Sequence, residues 1–119
     1  MADLTRKEVI MILATATNAR LSGVDLSGLD LSGLNFSGAD LILANLSEAN
    51  LSYAYMRGAH IEDAKLERTI LVNVNLKEAS LKGSNLKGAD LSNANLTDAN
   101  LFGADLTGAN LTGAKGVVR

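Results

Sequence analysis

Ala89-Asp90-Leu91-Ser92-Asn93-Ala94-Asn95-Leu96-Thr97-Asp98 states the organising rule of the chain twice over: a small residue, Asp or Asn, Leu, then two polar or small residues. Read outward in both directions, the same five-residue phase holds from Ala19 to Ala114 with no insertion or deletion. An apolar centre falls at Leu21, Leu26, Leu31, Phe36, Leu41 and every fifth position to Leu111, 19 in a row, of which 16 are Leu and the others Phe36, Met56 and Ile61. Ala stands two before the centre in most cycles, and the position between is usually Asp or Asn.

A period of five matches neither the 3.6 of a helix nor the 2 of a strand, so neither element buries this pattern alone. A short repeat that cannot bury its own apolar side implies stacking into a solenoid. If each pentapeptide makes one flat side and a corner, four make a square coil of twenty residues with the centre and the small residue inward. Coils spaced by roughly 4.8 Å then give about five coils and a rod on the order of 23 Å long. Side one holds residues 19–23 and each set twenty on; sides two, three and four begin at 24, 29 and 34.

Ten of the 11 Gly, from Gly23 to Gly113, fall in one slot two after the centre. A corner that needs positive φ, or close approach of backbones, accounts for that concentration. No strand-turn-helix context follows any of them, so they are not phosphate loops. The larger inward residues Val24, Leu29, Leu34 and Phe36 widen the first coil, as a covering helix would require.

These units resemble the pentapeptide-repeat proteins, and the resemblance covers residues 20–115. It implies an all-β solenoid: a right-handed quadrilateral β-helix of about five coils, here with an N-terminal α-helical cap. Three parts are expected: a capping helix in 1–18, the repeats in 19–115 and a tail in 116–119. The unadorned Ala-(Asp/Asn)-Leu style also resembles short bacterial members abundant in cyanobacteria. A fold of this kind does not fix a task.

In the N-terminal part, Thr5 and Glu8 fit a capping box, with Leu4 and Val9 placed as a hydrophobic staple. A helix is expected from about Arg6 to Thr17, with Val9, Ile10, Leu13 and Ala14 on one face and Met11 and Ile12 broadening the apolar side. The rival is a secretory signal, Arg6 and Lys7 before Val9–Ala14, but Asp3 and Glu8 stand where such a signal wants positive charge. No apolar run approaches the length of about 20 residues that a membrane span needs. A cytoplasmic location is the default.

The bounds on chemistry are negative. The chain has 119 residues, one domain's worth, and a net charge of −2 that argues against nucleic-acid binding or a membrane surface. There is no Cys and one His, His60, so no nucleophile-base-orienter set is visible. His60 beside Glu62 and Asp63 lacks metal-ligand spacing. No enzyme activity, cofactor or metal is expected.

Residues twenty apart should stack, giving the surface pairs Glu62–Lys82, Glu67–Lys87 and Glu48–Arg68, each contributing about 0–1 kcal/mol. Asn and Asp before the centres should form ladders along the stack. One coil departs: at four successive Asp/Asn positions it carries Tyr55, His60, Lys65 and Ile70. With Tyr53, Arg57, Arg68 and Val72 these form a candidate protein-interaction belt, since aromatic, Arg and His groups are favoured at interfaces. Relaxed drift in a middle coil is the alternative. Side three is sharpest: it has no basic residue and holds Tyr53, Ile70 and Val72. Ile42, Leu43 and Phe102 make a looser set on side one.

Two functions follow. One is a rigid protein-binding or scaffold module with an unknown protein partner. The other is implied by the resemblance: some pentapeptide-repeat proteins mimic duplex DNA and bind DNA gyrase, giving quinolone resistance. That mimicry needs a strongly acidic rod, whereas Lys65, Lys77, Lys82, Lys87, Arg57 and Arg68 nearly offset the acids here. At the other end, Gly116 takes a centre position and cannot fill the core, so the last coil is an edge. Two outcomes stand side by side: a homodimer through that coil, or a monomer whose Val117-Val118 tail folds across the opening.

Overall fold

The computed structural model describes residues 2–117; Val118 and Arg119, half of the expected tail, lie outside the described residues. The residue before each centre forms a parallel bridge to the residue twenty positions on, from Arg20↔Asp40 through to Asn95↔Lys115. Each flat side therefore contributes a bridge of single residues, not a continuous strand, because a corner interrupts the chain every five residues. The ladder nonetheless ties each coil to both of its neighbours. Lys65 N–H donates to Ala44 O (2.9 Å), Leu66 N–H to Asn85 O (2.7 Å) and Arg68 N–H to Lys87 O (2.8 Å), so one pentapeptide is tied to the coils on both sides.

The corners explain the Gly slot. At every centre except Ile61 the carbonyl accepts from the N–H three residues on, as Leu41 O does from Ala44 N–H at 3.0 Å. The third residue of the turn has positive φ, the requirement of a type II turn. Gly28 takes it at +71° and Leu43, with a side chain, at 63°. All 19 corners share this φ, ten with Gly and nine without. Positive φ is thus the cause of the concentration.

Centres from Leu21 to Leu96 are buried, with Ala or another small residue between them. Two inward slots hold hydroxyls that are satisfied locally: Thr69 Oγ1 donates to Leu46 O (2.8 Å) and Ser84 Oγ to Leu81 O (2.7 Å). Burial fades at Leu106 and Leu111, which are only partly covered.

Helix α1 spans Arg6–Thr15. The capping box is present: Glu8 N–H donates to Thr5 Oγ1 (3.2 Å) and Thr5 N–H to Glu8 Oε1 (3.0 Å). The helix ends two residues before the expected Thr17. Thr15 Oγ1 donates back to Met11 O and Ile12 O, and Ala16 is already extended so that the chain can enter the first bridge at Arg20. The inward face also differs from expectation. Val9 is fully buried and Leu4, Ile12 and Leu13 pack on the core beside Val24, Leu29 and Leu34, while Ile10 and Ala14 are exposed. The helix is rotated toward Ile12 because its contacts lie on sides two and three. There Asp3 N–H donates to Asp25 O (2.7 Å), and Arg6 Nη1 and Nη2 donate to Asp30 O (2.7 Å) and Ser32 O (3.3 Å).

Candidate functional site

The Asp and Asn before each centre act within their own turn and do not form ladders along the stack. Asn45 Oδ1 accepts from Ser47 N–H (3.0 Å), Asn85 Oδ1 from Lys87 N–H (3.1 Å), and the same bond recurs at Asn35, Asn50, Asn75, Asp90 and Asn95. The short side chain reaches the N–H two residues on, an Asx turn that supports the corner. At Asp30, Asn50, Asp90, Asn95, Asp105 and Asn110 the hydroxyl of the following Ser or Thr donates to the same oxygen. Such donation lowers the pKa of Asp25, Asp30 and Asp105 below the ordinary carboxylate value, with the hydroxyls of Ser27, Ser32 and Thr107 the largest cause in each case.

Tyr55, His60, Lys65 and Ile70 have no oxygen to place there. Four successive turns therefore lack the bond that Asn35, Asp40, Asn45 and Asn50 make one coil before and Asn75, Asn85 and Asp90 one coil after. Each such hydrogen bond has a net worth of about 0.5–1.5 kcal/mol, so the departure of this coil carries a stability cost.

The bridges place these four residues on four different sides: Tyr55 between Asn35 and Asn75, His60 between Asp40 and Ser80, Lys65 between Asn45 and Asn85, Ile70 between Asn50 and Asp90. They circle the rod and face four directions, so one flat partner cannot touch them all. Side three does gather its members. Tyr53 N–H donates to Val72 O (2.9 Å), which stacks that corner directly on the next coil beside Ile70. Tyr53 is 64% exposed and Ile70 40%, with Val72 partly buried between them. Around the next corner Tyr55, 57% exposed, extends the apolar surface onto side four.

Two charged belt residues, Arg57 and Arg68, are tied to acids. Arg57 Nη2 meets Glu78 Oε1 at 2.6 Å, and Arg68 reaches Glu48 (3.5 Å), as stacking predicts, and Glu67 (4.0 Å). The other expected stacked pairs do not form. Glu62 lies back along its own side to His60 Nδ1 (3.5 Å), and Lys87 pairs with Asp105 (3.6 Å). His60 and Glu62, two apart on one flat side, share a face, and there the short reach wins over the coil spacing, whereas Lys87 still spans adjacent coils. Glu62 Oε2 is buried without a hydrogen-bond partner. Among the described residues no group of three or more His, Asp or Glu is placed to hold a metal ion. No helix among them is long and apolar enough to cross a membrane.

Side one does not assemble a patch. Phe102 is 74% exposed, but Glu62 and Lys82 occupy the coils between it and Ile42. One feature escaped sequence reasoning: a cavity of about 290 Å³ between α1 and the first coil, bounded by Ile10, Leu13, Ala14, Leu34 and Asn35. Its signal is Ala14–Asn18, which keeps the five-residue phase but has Ala16 where a Leu should stand.

The model of pentapeptide repeats matches residues 12–41, 25–63, 44–83, 59–98 and 79–115, with 8 copies. The chain belongs to the pentapeptide-repeat family. Among solved structures it is similar to the pentapeptide-repeat protein Rfr23 of the cyanobacterium Cyanothece 51142, at 36% identity and a TM-score of 0.69 over 79% of this chain and 60% of that one. It is also similar to HetL of Nostoc sp. strain PCC 7120, a protein involved in heterocyst differentiation regulation: 31% identity and a TM-score of 0.51 over 84% of this chain and 60% of HetL. A pentapeptide-repeat protein of the Arabidopsis thaliana thylakoid lumen gives 33% identity and a TM-score of 0.50, covering 78% and 70% of the two chains. Against the first two, this chain spans 60% of the relative's length. No curated protein matches it.

Proposed function

We propose that this chain is a non-enzymatic, cytoplasmic binding or scaffold module with α1 as its N-terminal cap, and that a protein partner docks on side three around Tyr53, Ile70 and Val72. The observation that carries this reading is the exposed Tyr53 and Ile70 on the one side without a basic residue. Of the remaining belt residues, Tyr55 and Arg57 on side four and Lys65 and Arg68 on side two form the rim, while His60 lies on side one, opposite. The four missing Asx bonds favour recognition over drift, since drift gives no return for their cost. HetL, a relative involved in heterocyst differentiation regulation, is compatible with such a role.

A gyrase-directed role gains no support from the charge layout. On side three Asp30 and Asp90 are separated by Asn50 and Ile70, and Arg6 lies 3.6 Å from Asp30. The likeness to the fluoroquinolone resistance protein QnrB1, at 22% identity, is one of fold.

Pull-downs from native lysate test the reading with two variants. One restores side three to the repeat average (Tyr53→Gly, Ile70→Asn, Val72→Ser), and the other restores the rim (Tyr55→Asn, Lys65→Asn). A protein retained by wild type and the rim variant and lost from the side-three variant supports the proposal. Equal retention by all three refutes it. Self-association through the last coil, where Leu106 and Leu111 are partly exposed, belongs to the same proposal, and sedimentation of the wild type against Leu111→Asp checks it.

A further inference from the structure

The ladder between coils is polar along the rod. Between inner coils each side sends two N–H groups toward the following coil and receives one back. Leu91 N–H donates to Asn110 O (2.7 Å) and Asn93 N–H to Thr112 O (2.9 Å), while Asn110 N–H returns to Ala89 O (2.9 Å). The first edge of the rod is therefore rich in acceptors and the last edge rich in donors. Peptide dipoles that do not cancel leave partial negative charge at the first end and partial positive charge at the last, as they do at the two ends of a helix.

At the first end the chain itself supplies the opposite chemistry. One coil inward on side three, Asn50 O takes Leu31 N–H and Ser52 O takes Gly33 N–H. The first-coil equivalents of those carbonyls are Asp30 O and Ser32 O, and the Arg6 guanidinium fork fills both (2.7 and 3.3 Å). One cationic side chain thus stands in for two main-chain donors at the negative end.

The last coil presents the complement, uncovered among the described residues. Leu111 N–H and Gly113 N–H are the side-three pair that would bond a following coil, and neither has a partner among those residues. The pairs at Leu101 and Gly103 and at Leu106 and Gly108 are open in the same way. Charge distinguishes the three pairs. Asp98 and Asp105 stand just before the other two, whereas residues 106–117 contain no acid and one cation, Lys115. Lys115 is exposed and makes no ion pair among the described residues. Its backbone is fixed next to the side-three corner by the bridge to Asn95 and by its N–H bond to Ala94 O (2.9 Å).

We propose that this corner, with Leu111 N–H, Gly113 N–H and the Lys115 ammonium, binds a carboxylate side chain from an acidic segment of a protein partner. A carboxylate is the acceptor counterpart of the Arg6 fork, offering two oxygens to two amides, and the ammonium balances its charge. Leu106 and Leu111, partly exposed beside the pair, take an apolar neighbour of the acid. The site lies on the end of the rod, apart from the surface around Tyr53 and Ile70, and does not depend on it.

The probe is acetyl-Ala-Glu-Leu-Glu-Ala-amide, titrated to about 1 mM into the ¹⁵N-labelled full chain at a concentration where sedimentation finds only monomer. The control peptide carries Gln in place of both Glu. The proposal predicts downfield shifts of the Leu111 and Gly113 amides, with exchange of both slowed roughly tenfold at saturation. The Leu91 and Asn93 amides, already bonded to the last coil, should not move. The Gln peptide should have no effect. Lys115→Gln should weaken binding about fivefold, and Lys82→Gln, equally exposed, should leave it unchanged. Equal shifts with the Gln peptide would mean apolar capture on Leu106 and Leu111 and would overturn the proposal. So would still amides in the presence of the Glu peptide, or equal affinity of Lys115→Gln and the unmodified chain. Shifts spread evenly over Lys65, Lys77 and Lys82 would mark unspecific charge attraction and overturn it as well.

Discussion

Lys65→Asn isolates the cost of the irregular coil. Lys65 is exposed and lies between Asn45 and Asn85 on side two, both of which bond the N–H two residues on, at 3.0 and 3.1 Å. Asn at 65 meets the same corner geometry and gives Glu67 N–H its acceptor. One added hydrogen bond in a partly solvated turn has a net worth of about 0.5–1.5 kcal/mol, and the lost Lys side chain gives up little burial. The reverse change, Asn85→Lys, should destabilise by about the same amount. In thermal unfolding these become shifts of about 3–6 °C in opposite directions, and urea unfolding gives the free energies with an unchanged slope. If Lys65→Asn is neutral or destabilising while Asn85→Lys is also neutral, the Asx bond is not what these positions supply. The inferred cost of the belt then disappears.

Three further outcomes follow from the same geometry. Leu66→Ala removes a fully buried side chain stacked between Leu46 and Leu86 on a ladder that resists collapse; it should cost about 3–5 kcal/mol by transfer and cavity terms, and half-covered Leu106→Ala clearly less. Equal losses in urea melts would contradict the inward assignment. Gly28→Ala meets open space but must adopt φ +71°, so it should lose about 1–2 kcal/mol, whereas Leu43→Gly, relieving φ 63°, should gain less than that because the unfolded chain also becomes freer. Asp105, held by Thr107 at 2.6 Å and then by Lys87, has a folded pKa depressed below its ordinary 3.8. Its contribution is complete above that value and is lost as pH falls through the depressed one. NMR titration should show Thr107→Val raising the Asp105 pKa, and the acid-stability difference between variant and wild type should fade below the depressed value; Thr112→Val beside uncharged Asn110 should show no such pH dependence.

What could be read from the residues was whatever the repeat enforces. Nineteen centres in phase fix the inward set, and the Gly slot fixes the corners, because both are imposed by the same backbone at every unit. Helix α1 was legible from Thr5 and Glu8, but its end and rotation were not, since Thr15 and the grip of Arg6 on Asp30 decide them through contacts 24 residues apart. Asn and Asp were read as ladders because both schemes satisfy an amide; the choice depends on a reach of two residues that only coordinates reveal. The same short reach drew Glu62 to His60. The belt was visible as four exceptions, yet its division among four sides follows from the bridges. The cavity beside α1 stayed hidden because Ala14–Asn18 departs from the motif at its one informative position, Ala16.

The claim beneath all of this is that residues twenty apart are neighbours on one side while residues ten apart face different sides. With no native Cys, paired cysteines test it cleanly. Asn75→Cys with Asn95→Cys places two Cα atoms roughly 4.8 Å apart across a parallel bridge, inside the range a disulfide spans. Asn75→Cys with Asn85→Cys places them on opposite sides of the rod. Quantifying intramolecular disulfide under mild oxidation of the folded chain should show near-complete closure for the first pair and almost none for the second. Equal closure of the two pairs, or preference for the second, would contradict the twenty-residue circuit and with it the placement of every surface residue.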